Sequence, residues 1–136
     1  MKELTELAKK WVSKAENDLK AAEQLLHSKE MVTDAICFHS QQVAEKYLKA
    51  FLVYHEIDFP KTHDISFLIE ECKTVDKEFD TLFETKADFL TEFGVDIRYP
   101  EEFYIPSEEE ARECLEICGK VRDFVKGKLK DVFGSK

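Results

Sequence analysis

Residues 33–55 read TDAICFHSQQVAEKYLKAFLVYH, a run without Gly or Pro in which Ile36, Val43, Ala44, Tyr47, Leu48, Phe51 and Leu52 recur at helical spacing. These side chains cover well over half the circumference of an α-helix, so the helix has to be central, with neighbours on several sides. Thr33 or Asp34 is its expected N-cap. Pro60 disfavours helical geometry at Phe59, so the helix stops near His55 and residues 56–64, EIDFPKTHD, connect it to the next element.

Working outward, the stretch from about Leu4 to Ser28 places Leu4, Leu7, Ala8, Trp11, Val12, Ala15, Leu19, Ala22 and Leu26 on one side and Lys, Glu and Asp on the other. That is a long amphipathic helix. A short helix is expected over about Ile65 to Lys73, capped by Thr62 or Asp64. A further long one spans about Lys77 to Phe93, with Phe79, Leu82, Phe83, Phe89, Leu90 and Phe93 inward and Gly94 at its end. The loop 95–106 holds Tyr99, Phe103, Tyr104 and two prolines. Ser107 and Glu110 form a capping box for a last helix from about Glu108 to Phe133. The expected fold is therefore all-α: one domain, residues 1–136, an antiparallel up-and-down bundle of four long helices plus one short helix. Alternating directions would gather Lys49, Lys61, His63, Asp64, Arg98 and Tyr99 at one pole.

Composition agrees. The chain has 136 residues, 43% of them hydrophobic, with 11 Phe, 4 Gly and 3 Pro. That supports one real core and leaves too little turn chemistry for a many-stranded sandwich or barrel. The net charge of −9 disfavours a loose grip on nucleic acid. The charge is uneven, however. Residues 1–64 carry 9 basic and 11 acidic side chains, residues 65–119 carry 5 and 16, and residues 120–136 carry 6 and 2. The first half is nearly balanced and has room for one local basic site. No signal peptide opens the sequence, no stretch approaches 18 apolar residues, and the four cysteines are scattered; the cytoplasm is the expected location.

Three groups could carry chemistry. On the central helix His39, Gln42, Lys46 and Lys49 fall within an arc of roughly 80°, at 100° per residue. Such a donor stripe could hold a phosphate or nucleotide, or it could be the helix's solvent face. His63-Asp64 could offer a general acid or base or a phosphate ligand, or Asp64 could simply cap the next helix. Arg98, in Arg98-Tyr99-Pro100, could clamp phosphate bidentately or neutralise Asp96, Glu101 or Glu102. Metals fare worse. Cys114 and Cys118 lie one turn apart with no second pair to complete a set, and core cysteines are the better reading. The Glu-x-x-His di-iron pattern is absent, because Gln24, Ile36, Leu52 and Pro60 stand three residues before the histidines. Four glycines exclude a P-loop or dinucleotide fingerprint, so no cofactor is expected and a nucleotide would be a ligand.

Trp11 with Ala15, Asp18-Leu19 and Ala22, the run from Cys37 to Ala50, Pro60-x-x-His63-Asp64 and Arg98-Tyr99-Pro100 occur in this order over nearly the whole chain. Together they resemble the HEPN domain (higher eukaryotes and prokaryotes nucleotide-binding). The resemblance implies a helical bundle that forms homodimers. It also implies a minimal nucleotidyltransferase as partner, often in a toxin–antitoxin pair. Some relatives are ribonucleases that use an Arg followed four to six residues later by His. Here those positions hold Phe103, Tyr104 and Ile105 after Arg98, Ile117, Cys118 and Gly119 after Arg112, and Gly127, Lys128 and Leu129 after Arg122.

The expectation is a non-catalytic module that binds nucleotide through His39, Gln42, Lys46, Lys49, His63 and Arg98. One alternative is a divergent metal-independent ribonuclease with His39 or His63 as acid/base and Arg98 or Lys46 on the phosphate. The other is a purely structural dimerisation module, with the stripe as its seam and Phe38, Phe103 and Tyr104 as anchors.

Overall fold

The computed structural model describes residues 2–94 and 105–133, and the described residues are helical throughout their ordered elements. Helix α1 spans Lys2–Leu26, α2 Thr33–Tyr54, α3 Ile65–Lys73, α4 Glu108–Lys128 and α5 Lys130–Phe133; two 3₁₀ helices, Lys77–Thr85 and Ala87–Phe93, stand between α3 and α4. The expected all-α bundle is what forms, and α2 is its centre, packed on α1, α4, α3 and the second 3₁₀ helix. Fourteen of its 22 residues are buried, as its broad apolar arc requires. Against it α1 lays a seam of small side chains, Ala8, Val12, Ala15 and Ala22, which lets the two backbones approach. A chain of rings, Phe51–Phe79 with centroids 4.4 Å apart and Phe79–Phe124 at 4.9 Å, ties α2 through the first 3₁₀ helix to α4.

The helix starts divide. Ser107 and Glu110 make the expected reciprocal capping box, and Asp64 caps α3 by accepting from Phe67 N at 3.2 Å. For α2 the expected side-chain cap is corrected. Val32 occupies the extended cap position, Thr33 is already helical, and Asp34 accepts only from the adjacent Ala35 N. Asp34 still places its charge at the positive end of the helix dipole.

The element expected over Lys77–Phe93 is helical but tighter, and it is split at Lys86, whose φ of 67° is left-handed. Its buried residues explain this: Phe79 and Leu82, then Ala87, Leu90 and Phe93, recur every three positions, the period of a 3₁₀ helix. The last helix likewise breaks at Leu129, which leaves helical geometry two residues after Gly127.

The expected pole also takes a different form. Residues 55–64 double back along α2, so His63 lies beside Glu45, about 13 Å of helix rise before Tyr54. Lys49 and His63 do meet, but alongside the helix; Lys61 is exposed, and Arg98, Tyr99, Phe103 and Tyr104 lie outside the described residues.

Candidate functional site

The donor stripe of α2 is organised by two carboxylates. Asp18 comes from the buried face of α1, where its place in the Ala15–Ala22 seam aims it at α2. Its Oδ1 lies 2.8 Å from His39 Nδ1, and Lys46 Nζ donates to Oδ2 at 2.6 Å. Since an ionised carboxylate only accepts, His39 Nδ1 carries the proton and Nε2 is left for another partner.

The second carboxylate, Glu45, is on α2 itself and buried. Lys49 Nζ donates to its Oε2 at 2.8 Å, while Gln41 Nε2 (3.0 Å) and His63 Nδ1 (2.9 Å) reach its Oε1. Burial alone would raise the Glu45 carboxyl, but the bonds from Lys49, His63 and Gln41 outweigh it and hold the group below its ordinary value. Lys49 Nζ also stands 5.6 Å from the Trp11 ring centre and 5.5 Å from that of Phe59, a cation between two aromatic walls. Gln41, fully buried, uses its whole amide: it donates also to His63 O at 3.0 Å and accepts from Gln42 Nε2 at 2.7 Å.

The predicted residues thus fall into two neighbouring clusters, His39 with Lys46 on Asp18, and Gln42, Lys49 and His63 around Gln41 and Glu45. They are not equally open. The His63 side chain is 61% exposed, Lys46 21% and Lys49 only 8%. Lys49 is therefore an internal counter-ion for Glu45 and not part of the open edge. Arg98 lies outside the described residues.

Asp18, Gln41 and Glu45 were missed by reading donors alone. An acid on an apolar seam, as at Asp18, and Glu45 four residues before Lys49 were the available signals.

A third ionic group joins α1 and α2 to α4. Arg122 Nε of α4 donates to Glu16 Oε2 at 2.6 Å, and Tyr47 Oη donates to the same oxygen. Burial would raise Glu16, but Arg122 and Tyr47 bring it below its ordinary value. A groove of about 850 Å³ at the start of α4 is lined by Glu109, Glu110, Glu113 and Glu116 with Arg112 among them, and its lining is mainly acidic. Next to Asp18 and Lys46 lies a smaller polar groove of about 430 Å³. Cys37, Cys72, Cys114 and Cys118 are all buried free thiols. Among the described residues no group of three or more His, Cys, Asp or Glu is placed to hold a metal, and no helix is long and apolar enough to cross a membrane.

Known proteins resemble this chain in sequence and fold. A relative in Methanocaldococcus jannaschii, named "Putative toxin MJ1304", is 35% identical over 143 residues, covering 95% of this chain and 92% of its own. The crystal structure of ST0689, an archaeal HEPN homologue, superposes with a TM-score of 0.67 at 28% identity over 89% of this chain and 96% of that one. The model of the HEPN domain matches residues 8–128, which include both carboxylate clusters and the helices that carry them. The chain belongs to the HEPN domain family.

Proposed function

We propose that the chain is the HEPN member of a toxin–antitoxin pair that acts by binding: a homodimer in the cytoplasm that holds a nucleotide and pairs with a minimal nucleotidyltransferase. The carrying observation is that Asp18 and Glu45 fix two imidazoles through Nδ1. The Nε2 atoms of His39 and His63 stay available, and Lys46 shares Asp18 with His39. Side chains held in this way lose little freedom when a ligand binds. The toxin name of the jannaschii relative supports the pairing, and the family resemblance implies the nucleotidyltransferase. Lys49 then acts from inside, and Arg98 joins as a phosphate clamp. Calorimetric titration with ATP and GTP tests the site. Binding that weakens in Lys46→Ala and His63→Ala supports it; no heat at millimolar nucleotide sinks it. Co-expression with a minimal nucleotidyltransferase and light scattering test the partner and the dimer.

One observation favours a second reading as ribonuclease: each imidazole–carboxylate pair has the form of a general base. The two are anchored six residues apart on α2, about 9 Å of rise, which is long for acid and base to serve one phosphodiester. Cleavage of tRNA lost in His63→Ala would revive it.

A further inference from the structure

The groove of about 430 Å³ beside the Asp18 cluster is lined by Ser13, Lys14, Asn17 and Lys20 from α1 and by Lys46 from α2. Its two carboxylates are already engaged: Asp18 with His39 and Lys46, Glu16 with Arg122 and Tyr47. Among the described residues Ser13, Lys14, Asn17 and Lys20 make no side-chain bond or ion pair, and all four are exposed. The groove therefore offers two uncommitted ammoniums, a hydroxyl and an amide around an ion-paired third lysine. In a chain of net charge −9 that is a local exception.

We infer that this groove is a phosphate subsite, and that it takes the linked phosphates of a nucleoside di- or triphosphate. Lysine ammoniums serve phosphate as point charges, and the hydroxyl and amide supply directed donors that chloride has no geometry to use. From Ser13 to Lys20 the groove follows α1 for seven residues, about 10 Å, longer than a single phosphate group and suited to a linked chain. Lys46 joins this groove to the α2 stripe, so the nucleoside end would lie toward His39 and Gln42. The inference rests on the nucleotide reading above and extends it to α1, which carries none of the donors expected from the sequence.

Titration of the whole chain with inorganic pyrophosphate, AMP and ATP tests it, without divalent cations and at fixed ionic strength. ATP should bind more tightly than AMP, and pyrophosphate should compete with ATP. In Lys14→Ala/Lys20→Ala the ATP affinity should fall about tenfold or more, to the AMP level. Both lysines are exposed helix positions, and an unchanged circular dichroism spectrum verifies the fold. ATP binding that ignores the double variant yet is lost in His63→Ala overturns the α1 subsite and leaves the nucleotide reading standing. Pyrophosphate binding that the double variant abolishes, with no added affinity for ATP, keeps an anion groove and overturns the nucleotide. No binding of either overturns both.

Discussion

Gly94 stands so close to Gln41 that a Cβ in its place would lie 2.7 Å from the Gln41 amide carbon and nitrogen. With φ of −81° its backbone suits any residue, so space alone demands glycine. The amide cannot swing away freely, because it bonds to Glu45, His63 O and Gln42. Gly94→Ala should therefore cost about 1–3 kcal/mol, read as a lower midpoint in urea. Gly119, helical and with nothing within 4 Å of such a Cβ, is the control. Gly119→Ala should leave stability unchanged or raise it by up to about 1 kcal/mol. Equal effects at the two sites would contradict the packing argument.

Glu45 links that contact to acid sensitivity. Its folded pKa is lowered from an ordinary 4.5, so its contribution to stability is complete above that value and is lost as pH falls through the lower folded one. Glu16 is lowered too and adds to the same slope. Unfolding measured from pH 6 downward should show stability falling below about pH 4.5, and Glu45→Gln should flatten the fall. At neutral pH Glu45→Ala should cost about 3–5 kcal/mol, because it strands the buried Lys49 ammonium. An Glu45→Gln acid limb as steep as the wild type's would remove Glu45 from this account.

How far the sequence reveals this follows from distance along the chain. The central position of α2, the reach of α1 and the Ser107 capping box are written in local periodicity and local spacing, and the structure has them. The 3₁₀ segment was masked by adjacent aromatics: Phe83 and Phe89 look inward at helical spacing, whereas the buried set Ala87, Leu90 and Phe93 follows a period of three. At the site, Lys49 shares its stripe with Lys46 and looks equally open. The Trp11 ring of α1 and the return of residues 55–64 over α2, which brings Phe59 against it, shut it in. Asp18 and Lys46 are 28 residues apart, and no single-helix pattern reports a bond across that separation.

The thiols give a chemical check. Burial pushes Cys118 up to about 12 and raises Cys72 as well, while Cys37 is raised first by its hydrogen bond with Cys114 and then by burial. Thiolate is the reactive form, so at pH 8 native protein should react with Ellman's reagent far more slowly than a model thiol. All four groups should appear at once in denaturant. A fast native fraction would show a thiol open to solvent and contradict their burial.

Asp18 is the remaining lever, because both of its oxygens are used and it ties α1 to α2. Asp18→Asn should cost about 1–3 kcal/mol, since a charged acceptor is lost at two bonds in a buried place. Lys46→Met should cost less, as its partner retains His39. If the bond at 2.6 Å couples them, the double variant should be more stable than the two single losses predict, by about 0.5–3 kcal/mol. The same variant separates two roles for Asp18 in binding. As a mere negative charge beside the groove it weakens anion affinity, and Asp18→Asn would then bind pyrophosphate more tightly. As the group that holds His39 and Lys46 in position it strengthens affinity, and Asp18→Asn should bind ATP more weakly. The geometry favours the second outcome, because Asp18 is buried and its charge is already matched by Lys46. Tighter ATP binding by Asp18→Asn would show that positioning by Asp18 is not what the site needs.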